Sequence, residues 1–252
     1  MSTSQAGAID RRRAIVLGLG ALAAGAGVGG GLLAYPHVET ARLWYDVIGV
    51  DVSHHQGHID WPMLARTDVA FAYIKATEGG DFRDQRFQAS WDGARQAGLL
   101  RGAYHFFTQC RAGAEQARNF MAAVPREPGA LPPAVDLEHM GPCRSGPPLA
   151  DLVEEIATFL VMLQEHYGRR PILYVTSEFD SAYLHGRFES DTFWTRSIAL
   201  PPRFRRGRWL IWQYHNCGRR AGIDGPVDLN AFRGSRRDLQ AFAAGEMVSG
   251  EW

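Results

Sequence analysis

From residue 47 onward, short apolar runs alternate with segments whose apolar residues recur every three or four positions. The apolar runs predict strands at Val47 to Ser53, Val69 to Ala76, Gly102 to Phe107, Ala134 to Glu138, Pro171 to Thr176, Phe193 to Ile198, Trp209 to Tyr214 and Val227 to Asn230. Between them, Asp84 to Ala97 gathers Phe87, Trp91 and Ala94 on one helical face before Gly98, a natural C-cap. Ala112 to Val124 repeats the pattern with Ala117, Phe120, Met121 and Val124. The strongest helix runs from Leu149 to Tyr167, where Leu149, Leu152, Val153, Ile156, Phe159, Leu160 and Leu163 form the apolar stripe and Gly168 ends it. Later segments are shorter and richer in Arg, Gly and Pro, which predicts strands with little helix between them. Alternation of this kind argues for an α/β fold. Eight strand candidates fit an irregular TIM-like β/α barrel with reduced helices in its last third, one domain over residues 47–252.

The N-terminal segment departs from this pattern. Arg11-Arg12-Arg13 leads into an uncharged stretch of Ala, Val, Leu and Gly, so residues 1–34 read as an export segment. It resembles a twin-arginine signal with a small-residue cleavage site at Ala24-Gly25-Ala26, or alternatively an uncleaved anchor, since residues 14–34 are long enough to cross a bilayer. Residues 35–46 then form a linker. Either version puts the folded part outside the cytoplasm, periplasmic or extracellular, with a membrane tether in the second case.

Composition adds little beyond this. Hydrophobic residues make up 46% and charged residues 21% of the 252, enough apolar material for a core. The 27 basic and 27 acidic residues cancel, so net charge gives no reason to expect a nucleic-acid ligand. Export changes how the three cysteines are read, because thiols pair in an oxidising compartment. Cys110 and Cys143 each lie just beyond a predicted strand end, which predicts a bridge between neighbouring loops and leaves Cys217 free.

Candidate chemistry centres on Pro132-Pro133-Ala134-Val135-Asp136-Leu137-Glu138, a short apolar strand ending in two acids. Residues two apart on a strand share a face, so Asp136 and Glu138 are neighbours at the strand's C-terminal end, where α/β barrels place catalytic groups. Two close carboxylates do not both ionise freely, and the one that keeps its proton to higher pH can act as general acid. Glycoside cleavage uses such a pair; a solvated loop or a helix cap would also explain it. Asp51 in Ile48-Gly49-Val50-Asp51-Val52-Ser53 and Asp228 in Pro226-Val227-Asp228-Leu229-Asn230 sit in apolar runs too, where a carboxylate is expensive unless hydrogen-bonded or functional.

With these acids in view, the sequence resembles the family 25 glycoside hydrolases, muramidases that cut the β-1,4 bond between N-acetylmuramic acid and N-acetylglucosamine. The matching stretches occur in the family's order. They are Asp51-Val52-Ser53-His54-His55-Gln56-Gly57 with Ile59-Asp60-Trp61, then Lys75-Ala76-Thr77-Glu78-Gly79, and Ala97-Gly98-Leu99 with Gly102-Ala103-Tyr104-His105-Phe106. Asp136-Leu137-Glu138, Pro171-Ile172-Leu173-Tyr174, Trp212-Gln213-Tyr214 and Val227-Asp228-Leu229-Asn230-Ala231-Phe232 follow. The resemblance implies that Glu138 is the acid/base and that Asp136, as an anion, supports the substrate's own acetamido group as nucleophile while raising the pKa of Glu138. A covalent aspartyl intermediate is the alternative. It carries Asp51 and Asp228 over as acids completing the pocket. Tyr104, Tyr174, Trp212 and Tyr214 are expected to offer surfaces on which sugar rings stack. Lys75 and Glu78 are expected to bind polar groups of the ligand or to pair with each other. The chain departs from the family at Trp194-Thr195-Arg196-Ser197-Ile198, where relatives read Trp-x-Ala-x-Tyr; the missing tyrosine removes one sugar contact and marks a different glycan preference.

The expected ligand is therefore a peptidoglycan glycan strand, handled by a monomer without cofactor. His54, His55 and His58 near Asp51 could form a zinc site, but no His-Glu-x-x-His or His-x-His pair supports one and the resemblance implies no catalytic metal. A metal-dependent glycan deacetylase or amidase is the competing enzyme. A non-catalytic wall-binding module is the competing class.

Overall fold

A computed structural model describes residues 39–139, 143, 149–198 and 200–246. The expected export segment and most of the expected linker lie outside the described residues. Among the described residues there are nine strands: β1 Val47–Val52, β2 Val69–Glu78, β3 Phe82–Arg83, β4 Leu100–Phe106, β5 Ala134–Leu137, β6 Ile172–Thr176, β7 Phe193–Arg196, β8 Trp209–Gly218 and β9 Val227–Phe232. Eight of them close a barrel in the order β1-β9-β8-β7-β6-β5-β4-β2, with β2 pairing back onto β1; β3 is a hairpin extension of β2. Each predicted strand is there.

One feature departs from a TIM barrel. β9 runs antiparallel to both β8 and β1, whereas the other barrel neighbours are parallel. The cause is the connection: a parallel return needs a crossover of a dozen or more residues, and only residues 219–226 separate β8 from β9.

The helices are α1 Trp61–Ala65, α2 Phe87–Gln96, α3 Gly113–Ala123, α4 Leu149–Tyr167 and α5 Arg236–Ala244. The three with strong apolar stripes are those the sequence predicts. α1 and α5 escaped because they are short and carried by their caps. Asp60 accepts a hydrogen bond from the Met63 N–H at 2.8 Å, Ser235 and Asp238 form a reciprocal box at the start of α5, and Gly245 ends it at φ 86°.

Alternation along the strands divides the core in two. Phe71, Tyr73, Ala134, Ile172, Trp194 and Phe232 fill the barrel, with Leu239 and Ala243 of α5 joining this layer. The fit is tight: a Cβ on Gly102 would meet the Tyr73 ring at 2.3 Å. The outer layer packs Trp91, Phe120, Phe159 and Leu163 of the helices against the opposite strand faces. There α3 touches α4 so closely that a Cβ on Gly113 would lie 1.9 Å from the Glu155 carbonyl oxygen.

No long helix covers β8. Residues 39–46, expected as part of a linker, pack there instead: Ala41 is fully buried, and the rings of Trp44 and Tyr45 lie 6.3 and 6.4 Å from Trp212. Arg220 clamps the segment, with both terminal nitrogens 2.8 Å from the Glu39 carboxylate.

Candidate active site

The barrel's mouth holds a cavity of about 520 Å³, within the range of sites that bury a small ligand. Every inward position at the mouth contributes: Asp51 from β1, Lys75 and Glu78 from β2, Tyr104 from β4, Asp136 and Glu138 from β5 and the residue after it, Tyr174 from β6, Trp194 and Arg196 from β7, Gln213 from β8 and Asp228 from β9. The four acids expected at one opening are at one opening. Asp228 arrives by a different route from the others, because β9 is reversed and presents its N-terminal end to the mouth.

Asp51 is the most tightly held. Its Oδ2 accepts from Asn230 Nδ2 at 2.7 Å and from Gln213 Nε2 at 3.0 Å. Each amide is fixed from behind: Trp194 Nε1 donates to Asn230 Oδ1 at 2.7 Å, and the Tyr174 hydroxyl donates to Gln213 Oε1 at 2.9 Å. Two relays thus converge on one carboxylate oxygen. Burial raises the Asp51 pKa, and these hydrogen bonds work against that rise. Asp228 is pushed up to about 9 by burial and by the charge of Asp51. At neutral pH Asp228 therefore keeps its proton beside the Asp51 carboxyl group.

The active pair differs from the expectation in one respect. Burial raises both Asp136 and Glu138, and Asp136 goes well above the carboxylate range because Glu138 and Asp51 add their charge. Both carboxyls of the pair are thus pushed towards the protonated form. On Glu138, Arg196 opposes the rise, standing 3.7 Å from Oε2. Asp136 Oδ1 is shut off from solvent and has no hydrogen-bond partner among the described residues.

Lys75 and Glu78 both line the cavity and pair with each other at 2.6 Å. Tyr104 and Tyr174 face the cavity. Trp212 and Tyr214 do not. They lie in the outer layer, where the Trp212 indole N–H donates to the Ser197 carbonyl at 2.6 Å and the Tyr214 hydroxyl meets Glu39 at 3.3 Å. Alternation along β8 explains this, since Gln213 between them takes the inward face. Gln213, Asn230, Trp194 and Arg196 were missed as site residues. A polar residue between two aromatics on a strand was the available signal.

The disulfide Cys110–Cys143 is formed, joining the loop after β4 to the loop after β5, and Cys217 is free. In the same place Gln109 Nε2 donates to the Glu138 carbonyl at 3.2 Å. His54 Nδ1 pairs with Asp84 Oδ2 at 2.9 Å, and His55 reaches the cavity rim. Among the described residues no group of three or more His, Cys, Asp or Glu side chains is arranged to hold a metal ion.

Comparison with known proteins gives a consistent result. Residues 50–223 match the family model described as glycosyl hydrolases family 25. Lysozyme M1 of Streptomyces globisporus is 34% identical over 209 residues, covering 78% of this chain and 71% of the relative. A family 25 glycosyl hydrolase from Bacillus anthracis superposes with a TM-score of 0.75 at 36% identity, over 79% of this chain and 94% of that one. The bacterial lysozyme from Streptomyces coelicolor gives 0.74 at 32%, over 81% and 100%. The family model covers more than half the chain and the relatives match over most of their length, so this chain belongs to glycosyl hydrolases family 25 and is a glycoside hydrolase.

Proposed function

We propose that this enzyme is a peptidoglycan hydrolase that cuts the β-1,4 bond between N-acetylmuramic acid and N-acetylglucosamine, with Glu138 as acid/base and Asp136 assisting the substrate's acetamido group. The observation that carries the reading is that Asp136, whose carboxylate keeps one oxygen accessible, lies beside Glu138 in the lining of a cavity of sugar size. An acetamido N–H is a donor suited to that oxygen. Hydrogen bonding to a carboxylate favours its charged form, so a bound acetamido group would draw the shared proton from Asp136 towards Glu138. Glu138 would then give that proton to the leaving oxygen as the acetamido oxygen closes on the anomeric carbon. The Asp136 anion would stabilise the cationic ring, and Glu138 would take a proton from the water that opens it, restoring the site.

Tyr104, Tyr174 and Trp194 supply the aromatic walls expected of a sugar site. The named activity of the Streptomyces globisporus relative, a lysozyme, agrees with a cell-wall substrate. The test is mass spectrometry of fragments released from purified sacculi. New reducing ends at muramic acid are expected. Release of only peptide amines or acetate, lost on chelation, would transfer the enzyme to the amidase or deacetylase class.

A further inference from the structure

Two cations face the acid pocket, and they are not equivalent. Lys75 is neutralised: its Nζ is 2.6 Å from Glu78 Oε2 and lies 4.8 Å from the centre of the Phe106 ring. Arg196 approaches Glu138 no closer than 3.7 Å, longer than a hydrogen bond, and its side chain is 33% exposed. It also forms the boundary between two cavities. On one side is the acid pocket; on the other is a cavity of about 640 Å³ bordered by Ser177, Glu178, Leu200, Arg203 and Phe204. The second cavity has an exposed apolar side chain, Leu200 at 63%, and opens at the ends of β6 and β7.

A guanidinium offers a fork of N–H donors matched to a carboxylate. Placed at the edge of a sugar pocket, it faces not the ring but whatever the ring carries outward. We propose that Arg196 is a specificity residue that binds a carboxylate on the substituent of the sugar in the acid pocket, with the adjoining cavity receiving the rest of that substituent. This rests on the glycan-cleaving reading above. Two sources share the chemistry: the lactyl carboxylate of a muramic acid without its peptide, and a carboxylate of the attached stem peptide. A carboxylate that engages Arg196 also competes with Glu138 for it, which favours the protonated acid once substrate is in place.

The experiment compares the full chain with Arg196→Ala and Arg196→Lys on four substrates. These are glycan strands with intact stem peptides, strands stripped of peptide, stripped strands whose lactyl carboxylates have been converted to amides, and chitin oligosaccharide. For Arg196→Ala we expect KM on the carboxylate-bearing strand to rise roughly 10- to 100-fold, the equivalent of one charge-assisted hydrogen bond. On the amidated strand and chitin oligosaccharide KM should stay within about twofold of wild type, while the loss of the charge beside Glu138 changes kcat on all four substrates alike, and Arg196→Lys should recover part of the KM loss. A loss confined to stripped strands assigns the lactyl group; one confined to peptide-bearing strands assigns the stem. An equal rise in KM on all four substrates, or no rise in KM on the carboxylate-bearing strands, overturns the proposal and leaves the glycosidase reading intact. Absence of new reducing ends from wild type on every substrate overturns both.

Discussion

Asp51 and Asp228 stand directly opposite each other across the antiparallel β1–β9 ladder, one held by two amides and the other keeping its proton past neutral pH. The closed barrel brings the two together from opposite ends of the domain. Burial, with the charge of Asp51 added to it, pushes Asp228 up to about 9.

That pairing makes stability depend on pH with a definite sign. The folded chain holds a proton on Asp228 that the unfolded chain releases near the ordinary carboxylate value of 3.8, so the proton's contribution is fully present below that value. It is lost as pH rises towards about 9. Asp228→Asn keeps a donor for Asp51 and removes the titration. Melting curves should show the variant gaining on wild type steadily from pH 5 to pH 9, and a constant offset would contradict the assignment.

The acid/base assignment predicts that Glu138→Gln lowers kcat by roughly 10²- to 10⁴-fold while leaving the melting temperature and glycan binding intact. Reducing-sugar assays with a parallel pull-down by cell wall make the comparison. Near-normal turnover would move the acid elsewhere.

Substrate assistance predicts that a sugar thiazoline, mimicking the cyclised acetamido ring, binds at least about 10²-fold more tightly than the parent sugar. Asp136→Asn should abolish that preference, because the ring nitrogen, a donor once protonated, loses its carboxylate partner. Calorimetric titration reads both. Trapping a glycosyl-aspartate with a fluorosugar would instead establish a covalent intermediate.

The two relays onto Asp51 Oδ2 are open to single deletions. Asn230→Leu leaves the Trp194 indole N–H without its acceptor and removes one donor from Asp51. A destabilisation of about 1–3 kcal/mol is expected, as for other buried groups left unpaired. Gln213→Leu should act similarly through Tyr174. Urea unfolding with no change in midpoint for either variant would show that the relays carry no net stability.

Removing the Cys110–Cys143 bridge with serines frees a loop of 33 residues' separation, for which loop closure alone contributes roughly 3 to 4 kcal/mol. The bridge joins the two loops flanking Glu138, so kcat should fall along with thermal stability. Unchanged kcat at a temperature where the variant is still folded would limit its role to stability.

Much of this enzyme is readable along the chain. Eight strands, three helices, the Asp136 and Glu138 pair and the two outlying aspartates follow from local rules: period two for strands, period three to four for helices, and the rarity of carboxylates in apolar runs. The short helices α1 and α5 were not readable, because end caps and tertiary contacts, not apolar stripes, hold them.

What only the tertiary structure decided concerns direction and facing. Trp212 and Tyr214 look like sugar platforms in isolation, yet strand parity turns them outward onto Trp44, Tyr45 and Glu39 and sends Gln213 inward. The reversal of β9, the proton on Asp228 and the approach of Arg196 to Glu138 likewise exist only once the barrel is closed. Local periodicity fixes which residues share a face of one strand. Which face meets the pocket, and which charges then lie within a few ångströms of each other, depends on contacts between segments as much as 179 residues apart, as for Asn230 and Asp51.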